Sequence, residues 1–271
     1  MKLKEKKLIL GKKINFYHDY DANILNPISR DESRKKIGLS ANKINGIDLW
    51  TSYEISWLRP NGIPDNGILY TSYPSSSPFF LESKSFKFYL NSLYNIKSTK
   101  KDLINLIKKD VEDCLQTKVK INILTKPIEY DLYKGYVDID NEKIKDVGKK
   151  VDSSLLSLSI NSPIRNYKIK CSLFRSLCPV TSQPDWATIL INYKGSLIKT
   201  DSILSYLISY RNHSGFHEEC VELIYKDILD TCKPINLSVE ARFLRRGGIE
   251  INPFRTSKKN INYFPLRDIR Q

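Results

Sequence analysis

The chain has 271 residues, of which 41% are hydrophobic and 27% are charged, and its formal net charge is +14. This balance is typical of a globular protein with an ordinary core, in one large domain or two small ones. No apolar run approaches the roughly 18 residues of a membrane span, and the run Leu8–Leu10 is too short for a secretory signal. We therefore expect a cytoplasmic protein that does not enter a membrane.

The first half of the chain reads as a hairpin, two helices and a strand. Within 49–73, apolar residues alternate on both sides of the turn signals PNG and NG, which predicts a β-hairpin. Apolar residues then recur at helical spacing from Phe86 to Leu93. A second helix starts near Lys100, with Thr99 as its capping residue. The sequence VKINILTKP then returns to a strand pattern.

The second half repeats this order of elements. Strands are predicted over 165–177 and 186–194, and a helix capped by Thr200 or Asp201 follows. A second helix spans about 216–232. The runs LSVEARFL and IEINPF flank the turn sequence RRGG, which is a strong hairpin signal.

The repeated order predicts an α+β fold of two tandem halves, with antiparallel sheets and helices packed on one face. We place the boundary near residue 145, which gives an N-terminal half of 1–145 and a C-terminal half of 146–271. Residues 126–143 have strand character, and the stretch that follows them is typical of a connector.

Cys178 and Asp185 are the first candidates for chemistry. They lie on one predicted loop, CPVTSQPDW, which two prolines stiffen. A thiolate and a nearby proton donor can add to an electron-poor carbon and protonate the attached heteroatom. Burial and a neighbouring thiolate would keep Asp185 protonated at neutral pH, so that it could act as the acid. The alternatives are a structural cysteine and an aspartate that only shapes a turn.

Acidic residues open two predicted helices, at Glu82 in the first half and at His217-Glu218-Glu219 in the second. Helix capping is the simplest interpretation of both. An ionised carboxylate also accepts two hydrogen bonds at once, which suits the N–H donors of a guanine-like ring. The turn at Arg246 and Gly247 can contact phosphate, or it can be an ordinary solvated turn.

The cysteine and histidine positions do not indicate a metal site. The five cysteines form no CxxC pair, and the three histidines form no HExxH motif. Neither a Rossmann fingerprint nor a P-loop occurs in the sequence. The positive charge indicates an anionic partner such as RNA or a phosphorylated small molecule, or else a solvated lysine surface.

Four separated motifs together resemble the 7-cyano-7-deazaguanine reductase (QueF) family, in its longer form with two fused halves. CPVTSQPDW resembles the nucleophile loop of the family, and LESKSFKFYLNS resembles its signature helix. FHEE and RRGGIEINPFR complete the pattern. The resemblance covers residues 48–95 and 165–271, in the expected order.

The resemblance implies a tandem tunnelling fold (T-fold) and an NADPH-dependent reduction of a nitrile to a primary amine. The substrate would be 7-cyano-7-deazaguanine and the product 7-aminomethyl-7-deazaguanine, on the path to the queuosine base of tRNA. Carried over by motif, Cys178 would attack the nitrile carbon to give a thioimide, and Asp185 would protonate the nitrogen.

The other roles are also carried over motif by motif. The residues that would hold the deazaguanine are Leu81, Glu82, Ser83, His217 and Glu218. The residues that would contact NADPH are Ser83, Lys84, Arg246 and Gly247. No metal is expected, nor direct binding to nucleic acid, and we expect a homodimer. The alternatives are another T-fold enzyme that acts on a purine or pterin ring, a nitrile hydrolase, and a basic RNA-binding module.

Overall fold

Two long β-hairpins form the centre of the computed structural model, which describes residues 19–39, 44–126, 133–144, 148, 150–261, 267–268 and 270–271. The strands are β1 Pro27–Ser29, β2 Asn45–Leu58, β3 Pro64–Pro74, β4 Phe79–Leu81, β5 Lys120–Leu124, β6 Val137–Asp138, β7 Arg165–Leu177, β8 Pro184–Gly195, β9 Asn236–Phe243 and β10 Ile249–Thr256. The α-helices are α1 Arg30–Lys36, α2 Ser83–Ser92, α3 Lys100–Leu115, α4 Thr200–Ile208 and α5 His217–Cys232. Short 3-10 helices lie at Ala22–Ile24, Leu93–Asn95, Ser153–Leu155 and Ser209–Asn212.

One eight-stranded sheet runs through both halves, in the order β5-β3-β2-β10-β9-β8-β7-β6. Strands β2 and β10 pair antiparallel from Asn45–Thr256 to Ser52–Ile249 and join the two halves. Its described ladders are antiparallel except for the two-residue pair of β6 with β7. A separate two-stranded sheet pairs β1 with β4. The predicted α+β class and antiparallel pairing are confirmed, and the two halves share a single sheet.

The helices pack on one face of this sheet. Cross-strand partners such as Ile191 and Val239 are both buried against α4 and α5. In the other half, Trp50 and its partner Ile251 belong to the core beneath α2 and α3. The pleat of the strands therefore separates a helix-covered face from the opposite one, as predicted.

The predicted helix starts are confirmed in one case and wrong in another. The Thr99 hydroxyl accepts a hydrogen bond from the Asp102 N–H at 3.2 Å and caps α3. Helix α4, in contrast, has Lys199 at its N-cap and no side-chain cap. Thr200 is already the first helical residue, and its hydroxyl donates to Glu142 instead. This hydroxyl therefore bonds to a residue distant in sequence and does not cap the helix.

The middle of the chain has less strand than its sequence pattern predicts. In 126–143, strand β6 covers only two of the described residues, and 127–132 lie outside them. The predicted boundary near residue 145 also falls outside the described residues, so the division into 1–145 and 146–271 remains a prediction. Within the described part of the chain, no helix is long and apolar enough to cross a membrane.

Candidate active site

A cavity of about 380 Å³ lies between the two halves. Nine of the ten predicted site residues line it, and they come from the end of β4 and the start of α2, from the β7–β8 loop and the start of β8, from the start of α5 and from the β9–β10 turn. These nine residues are Leu81, Ser83, Lys84, Cys178, Asp185, His217, Glu218, Arg246 and Gly247. The tenth, Glu82, precedes α2 and does not line the cavity.

The β7–β8 hairpin explains why Cys178 and Asp185 share this cavity. Leu177 and Pro184 are register partners, so the loop between them is short and leaves both residues at one end of the hairpin. The Cys178 N–H donates to the Gln183 carbonyl at 2.9 Å, which closes the loop. The Gly215 N–H donates to the Leu177 carbonyl at 3.1 Å and holds the start of α5 beside the cysteine.

The loop also sets the protonation of the nucleophile. Cys178 is half-buried, and burial by itself raises the pKa of its thiol. Hydrogen bonds from the Thr181 hydroxyl and from the N–H groups of Thr181 and Val180 act in the opposite direction and prevail. The pKa of Cys178 is therefore lowered below that of an ordinary cysteine, which favours the reactive thiolate.

Asp185 is only 3% exposed, and its main partner is Arg246. The Arg246 Nη1 lies 2.6 Å from the Asp185 Oδ1, and the guanidinium also donates to Thr181 at 3.4 Å and to Gln183. The structure therefore places Asp185 in an ion pair. The sequence predicted a protonated acid beside the thiol and did not reveal this arginine partner.

The three carboxylates at the helix starts play different parts. Glu82 accepts hydrogen bonds from the N–H groups of Lys84 at 2.9 Å and Ser85 at 2.7 Å, so it caps α2. Glu219 accepts from the Phe216 N–H at 2.8 Å and serves α5 in the same way. Glu218 remains, and its Oε1 is buried without a hydrogen-bond partner among the described residues.

Burial dominates the electrostatics of Glu218 and His217. It raises the pKa of Glu218 to about 8, and the charge of Asp48 acts in the same direction. Burial lowers the pKa of His217, against the opposing effect of Asp185 at 3.9 Å. The His217 ring also packs edge-on against Phe243, with ring centroids 4.1 Å apart. The cavity thus holds a neutral imidazole beside a carboxyl group with one unpaired oxygen.

Cations and glycines line the other side of the cavity. Gly247 and Gly248 have φ values of +58° and +79° and form the two-residue turn between β9 and β10. A Cβ on Gly247 would come within 1.5 Å of the Lys87 Nζ, so this turn lies directly against α2. A second concavity of about 170 Å³ continues past Lys87 and Phe88.

The sequence analysis missed Lys87, Gln183 and Phe216, which also line the cavity. Lys87 lies three positions after Lys84, on the same face of α2, and helical spacing was the signal that could have identified it. Gln183 and Phe216 stand inside quoted motifs but have no distinctive chemistry of their own. No group of three or more histidine, cysteine, aspartate or glutamate side chains in the described ranges could hold a metal ion.

Comparisons with known proteins identify the family of this chain. Residues 16–123 match the family model "Nitrile reductase, 7-cyano-7-deazaguanine-reductase N-term", and residues 184–262 match the model "QueF-like protein". A protein named NADPH-dependent 7-cyano-7-deazaguanine reductase from Buchnera aphidicola is 42% identical over 250 residues, 90% of this chain and 94% of its own. One of the same name from Acinetobacter baylyi is 40% identical over 266 residues, 97% and 98% of the two chains.

The chain belongs to the 7-cyano-7-deazaguanine reductase family. The tandem T-fold expected of the family agrees with the shared sheet and the helices on one of its faces. A solved structure, the archaeosine synthase QueF-Like in the apo form, is 20% identical and aligns with a TM-score of 0.31 over 36% of this chain and 96% of its own. That likeness is too slight to bear on the fold.

Proposed function

We propose that this member of the family reduces the nitrile of 7-cyano-7-deazaguanine to the primary amine of 7-aminomethyl-7-deazaguanine with NADPH. The reaction belongs to the biosynthesis of queuosine, a modified base of tRNA. The observation that carries the proposal is one cavity that contains a thiol of lowered pKa, an aspartate and a buried carboxyl group with one unpaired oxygen. The names of the relatives agree with it.

Cys178 and Asp185 carry the first chemical step. The Cys178 sulfur attacks the nitrile carbon, one carbon–nitrogen π bond breaks, and Asp185 delivers a proton to the nitrogen. The product is a thioimide on Cys178, and the net change is the addition of the thiol across the nitrile. A general acid at this position contributes about 10² to 10⁴ in rate.

Glu218 and His217 recognise the deazaguanine ring. The unpaired Oε1 of Glu218 is an acceptor for the adjacent ring N–H and amino group of a guanine-like edge. Leu81 and Ser83 complete the binding site from α2 and its approach. Glu82 contributes indirectly, because its carboxylate caps α2 and so holds the first turn of that helix in place.

The residues along the turn and α2 fit NADPH. Ser83, Lys84, Arg246 and Gly247 contact it in this proposal, and Lys87 adds a further cation beside Gly247. Arginine and lysine suit its phosphates, and the positive-φ glycines allow the backbone to approach closely. When bound, NADPH supplies the hydride that each of the two reduction steps requires.

We further propose a cytoplasmic homodimer that binds no nucleic acid directly. The site residues of both halves already meet within one chain, so the second copy is not required to complete the cavity. Sedimentation and a tRNA-binding assay at low and moderate salt test these two statements.

The adduct at Cys178 tests the proposal. Incubation with 7-cyano-7-deazaguanine, without NADPH, should add the full mass of the nitrile to the peptide that contains Cys178. Cys178→Ala should form no adduct and show no turnover, whereas Cys114→Ala, at a half-buried cysteine outside the cavity, should behave as the wild type. An adduct on another cysteine, or an active Cys178→Ala variant, would contradict the assignment.

A further inference from the structure

Arg246 connects the proposed acid of the reaction to the loop that carries the nucleophile. Its Nη1 pairs with the buried Asp185 at 2.6 Å, and its Nη2 reaches Thr181 at 3.4 Å and Gln183. Cys178 lines the same cavity as this guanidinium. One cation, on the β9–β10 turn, therefore contacts the nucleophile loop and the buried acid that follows it.

These contacts leave the arginine strongly oriented before any ligand is present. The Arg246 side chain is 38% exposed, whereas that of Asp185 is 2% exposed, so the ion pair connects a buried carboxylate to the open side of the cavity. Charge-assisted hydrogen bonds of this kind are stronger and more directional than neutral ones. The arrangement fixes where the Asp185 carboxylate lies relative to the sulfur.

We propose that Arg246 is a positioning residue for thioimide formation, acting on Cys178 and Asp185 before NADPH binds. The inference rests on the proposed function and adds to the cofactor contact proposed for the same residue. The guanidinium stabilises the thiolate and orients the aspartate. The thiol proton moves to the Asp185 carboxylate as the thiolate forms, and Asp185 passes that proton to the nitrile nitrogen as the sulfur–carbon bond forms.

Several other charged or titratable groups line the same cavity as the sulfur, and the test must separate Arg246 from them. They come from β8, α5 and α2, and they are Asp185, His217, Glu218, Lys84 and Lys87. Asp185 opposes the thiolate, whereas Thr181 and Val180 favour it through hydrogen bonds. Loss of Arg246 removes the positive charge that pairs with Asp185, so the negative charge of Asp185 then disfavours the thiolate more strongly.

The first measurement is the rate of Cys178 alkylation by iodoacetamide as a function of pH, without nitrile or cofactor, read from the mass of the Cys178 peptide. Arg246→Ala should shift the midpoint upward by about one pH unit, the lower end of the effect of a close opposite charge. Arg246→Lys should retain part of the wild-type profile. Arg245→Ala removes the neighbouring exposed arginine, whose guanidinium lies 5.5 Å from the Tyr53 ring, and should match the wild type.

The second measurement is the rate of thioimide formation with 7-cyano-7-deazaguanine in the absence of NADPH. Arg246→Ala should slow it by at least about tenfold, in line with one pH unit of lost thiolate stabilisation. Arg246→Gln, which keeps hydrogen bonding without the charge, supplies the same comparison if the alanine variant does not fold.

Two outcomes are decisive. If Arg246→Ala retains the wild-type alkylation profile and adduct rate while only its KM for NADPH rises, Arg246 serves the cofactor alone and the inference is overturned. If the wild type forms no nitrile adduct but Arg246→Ala still shifts the alkylation midpoint, the substrate assignment fails and only the effect of Arg246 on the Cys178 thiolate stands.

Discussion

Glu218 differs from its neighbours because one oxygen of its buried carboxyl group has no hydrogen-bond partner within the described ranges. Glu82 and Glu219 accept backbone N–H donors at helix starts. Glu218 is 2% exposed, and its Oε1 lacks a partner in the part of the chain that the structure describes. A buried acceptor without a donor lowers stability, and a ligand with N–H donors removes that deficit.

Glu218→Gln should therefore change stability and binding in opposite directions. The pKa of Glu218 is about 8 in the folded protein and about 4.3 in an unfolded chain. Between these values the folded state holds an extra proton, so stability falls as pH rises. The variant should gain thermal stability over the wild type between pH 6 and pH 8. Glu32→Gln, at an exposed position, should show no such trend.

Above pH 8, where Glu218 is ionised, the same variant should bind the deazaguanine more weakly by about 1–3 kcal/mol, the range for a charged hydrogen-bond partner. Calorimetry in a Cys178→Ala background measures this affinity without the covalent step. Unchanged affinity would show that the ring edge does not meet Glu218.

Asp185→Asn keeps the shape of the side chain but cannot transfer the proton. The rate of thioimide formation should fall by about 10² to 10⁴, because that is the usual contribution of a general acid. Substrate affinity in the Cys178→Ala background should remain, since Glu218 and His217 are intact. A loss below about threefold would mean that Asp185 only holds Arg246 in place.

At the scale of secondary-structure elements, single loops and turns position the residues of the candidate site. The Leu177–Pro184 register puts the thiol and the aspartate at one hairpin end, and the link from Gly215 to Leu177 places α5 beside them. The β9–β10 turn then brings Arg246 across to this loop. The first two connections use backbone hydrogen bonds and the third is a side-chain ion pair, so the site is held mainly by rigid elements.

Gly247→Ala tests the β9–β10 turn. Its φ of +58° strains an L residue by about 1–2 kcal/mol, and the added Cβ must displace Lys87. We expect a lower Tm and a severalfold higher KM for NADPH. Gly62→Ala is the matched control, because Gly62 has a φ of +84° with nothing within 4 Å of the new Cβ. That control should lose stability without a change in KM, and equal KM values in the two variants would contradict this role of the turn.

These elements also show how far the sequence alone could lead. The hairpins, the Thr99 cap and the glycine turn depend on nearby residues, so local patterns predicted them. The pairing of Arg246 with Asp185, across 61 positions, depends on the assembled sheet and left no local signal. The Lys199 N-cap was missed for the same reason, since Glu142 engages the Thr200 hydroxyl from 58 positions away. Motif resemblance selected the ten candidate site residues, and the position of Glu82 at a helix start already favoured the capping role that the structure shows.

A buried ionic network joins the halves at the scale of the whole molecule. Arg255 on β10 lies 2.6 Å from Asp48 on β2 and 2.9 Å from Glu222 on α5. Arg30 and Arg34 of α1 reach the same two acids at 2.7 and 2.8 Å. All five side chains are at most 4% exposed. Thus part of the positive charge of the chain is internal and paired, although the net +14 remains.

Asp48→Asn should destabilise the protein by about 3–5 kcal/mol, because it leaves buried arginines without a partner. Asp31→Asn breaks the exposed pair with Lys35 in α1 and should cost at most about 1 kcal/mol. Urea unfolding of both variants measures the difference. Equal losses would show that the network does not hold the halves together.

This network also predicts acid sensitivity. Burial opposes the charge of Asp48 and Glu222, but the surrounding arginines prevail and lower the pKa of both. Their stabilisation is present above the pKa of an unfolded acid, near 4, and is lost as pH falls further. The slope of stability against pH below 5 should therefore be shallower in Asp48→Asn than in the wild type.

The ratio of NADPH oxidised to amine formed tests the central claim most directly. Conversion of a nitrile to a primary amine takes four electrons, which two hydrides supply. Purified protein with 7-cyano-7-deazaguanine and excess NADPH should oxidise two NADPH for each 7-aminomethyl-7-deazaguanine, measured by nicotinamide absorbance and product mass. The Cys178→Ala variant should neither oxidise NADPH nor form the amine. Release of an amide or a carboxylic acid without NADPH oxidation would contradict the account and identify a nitrile hydrolase instead.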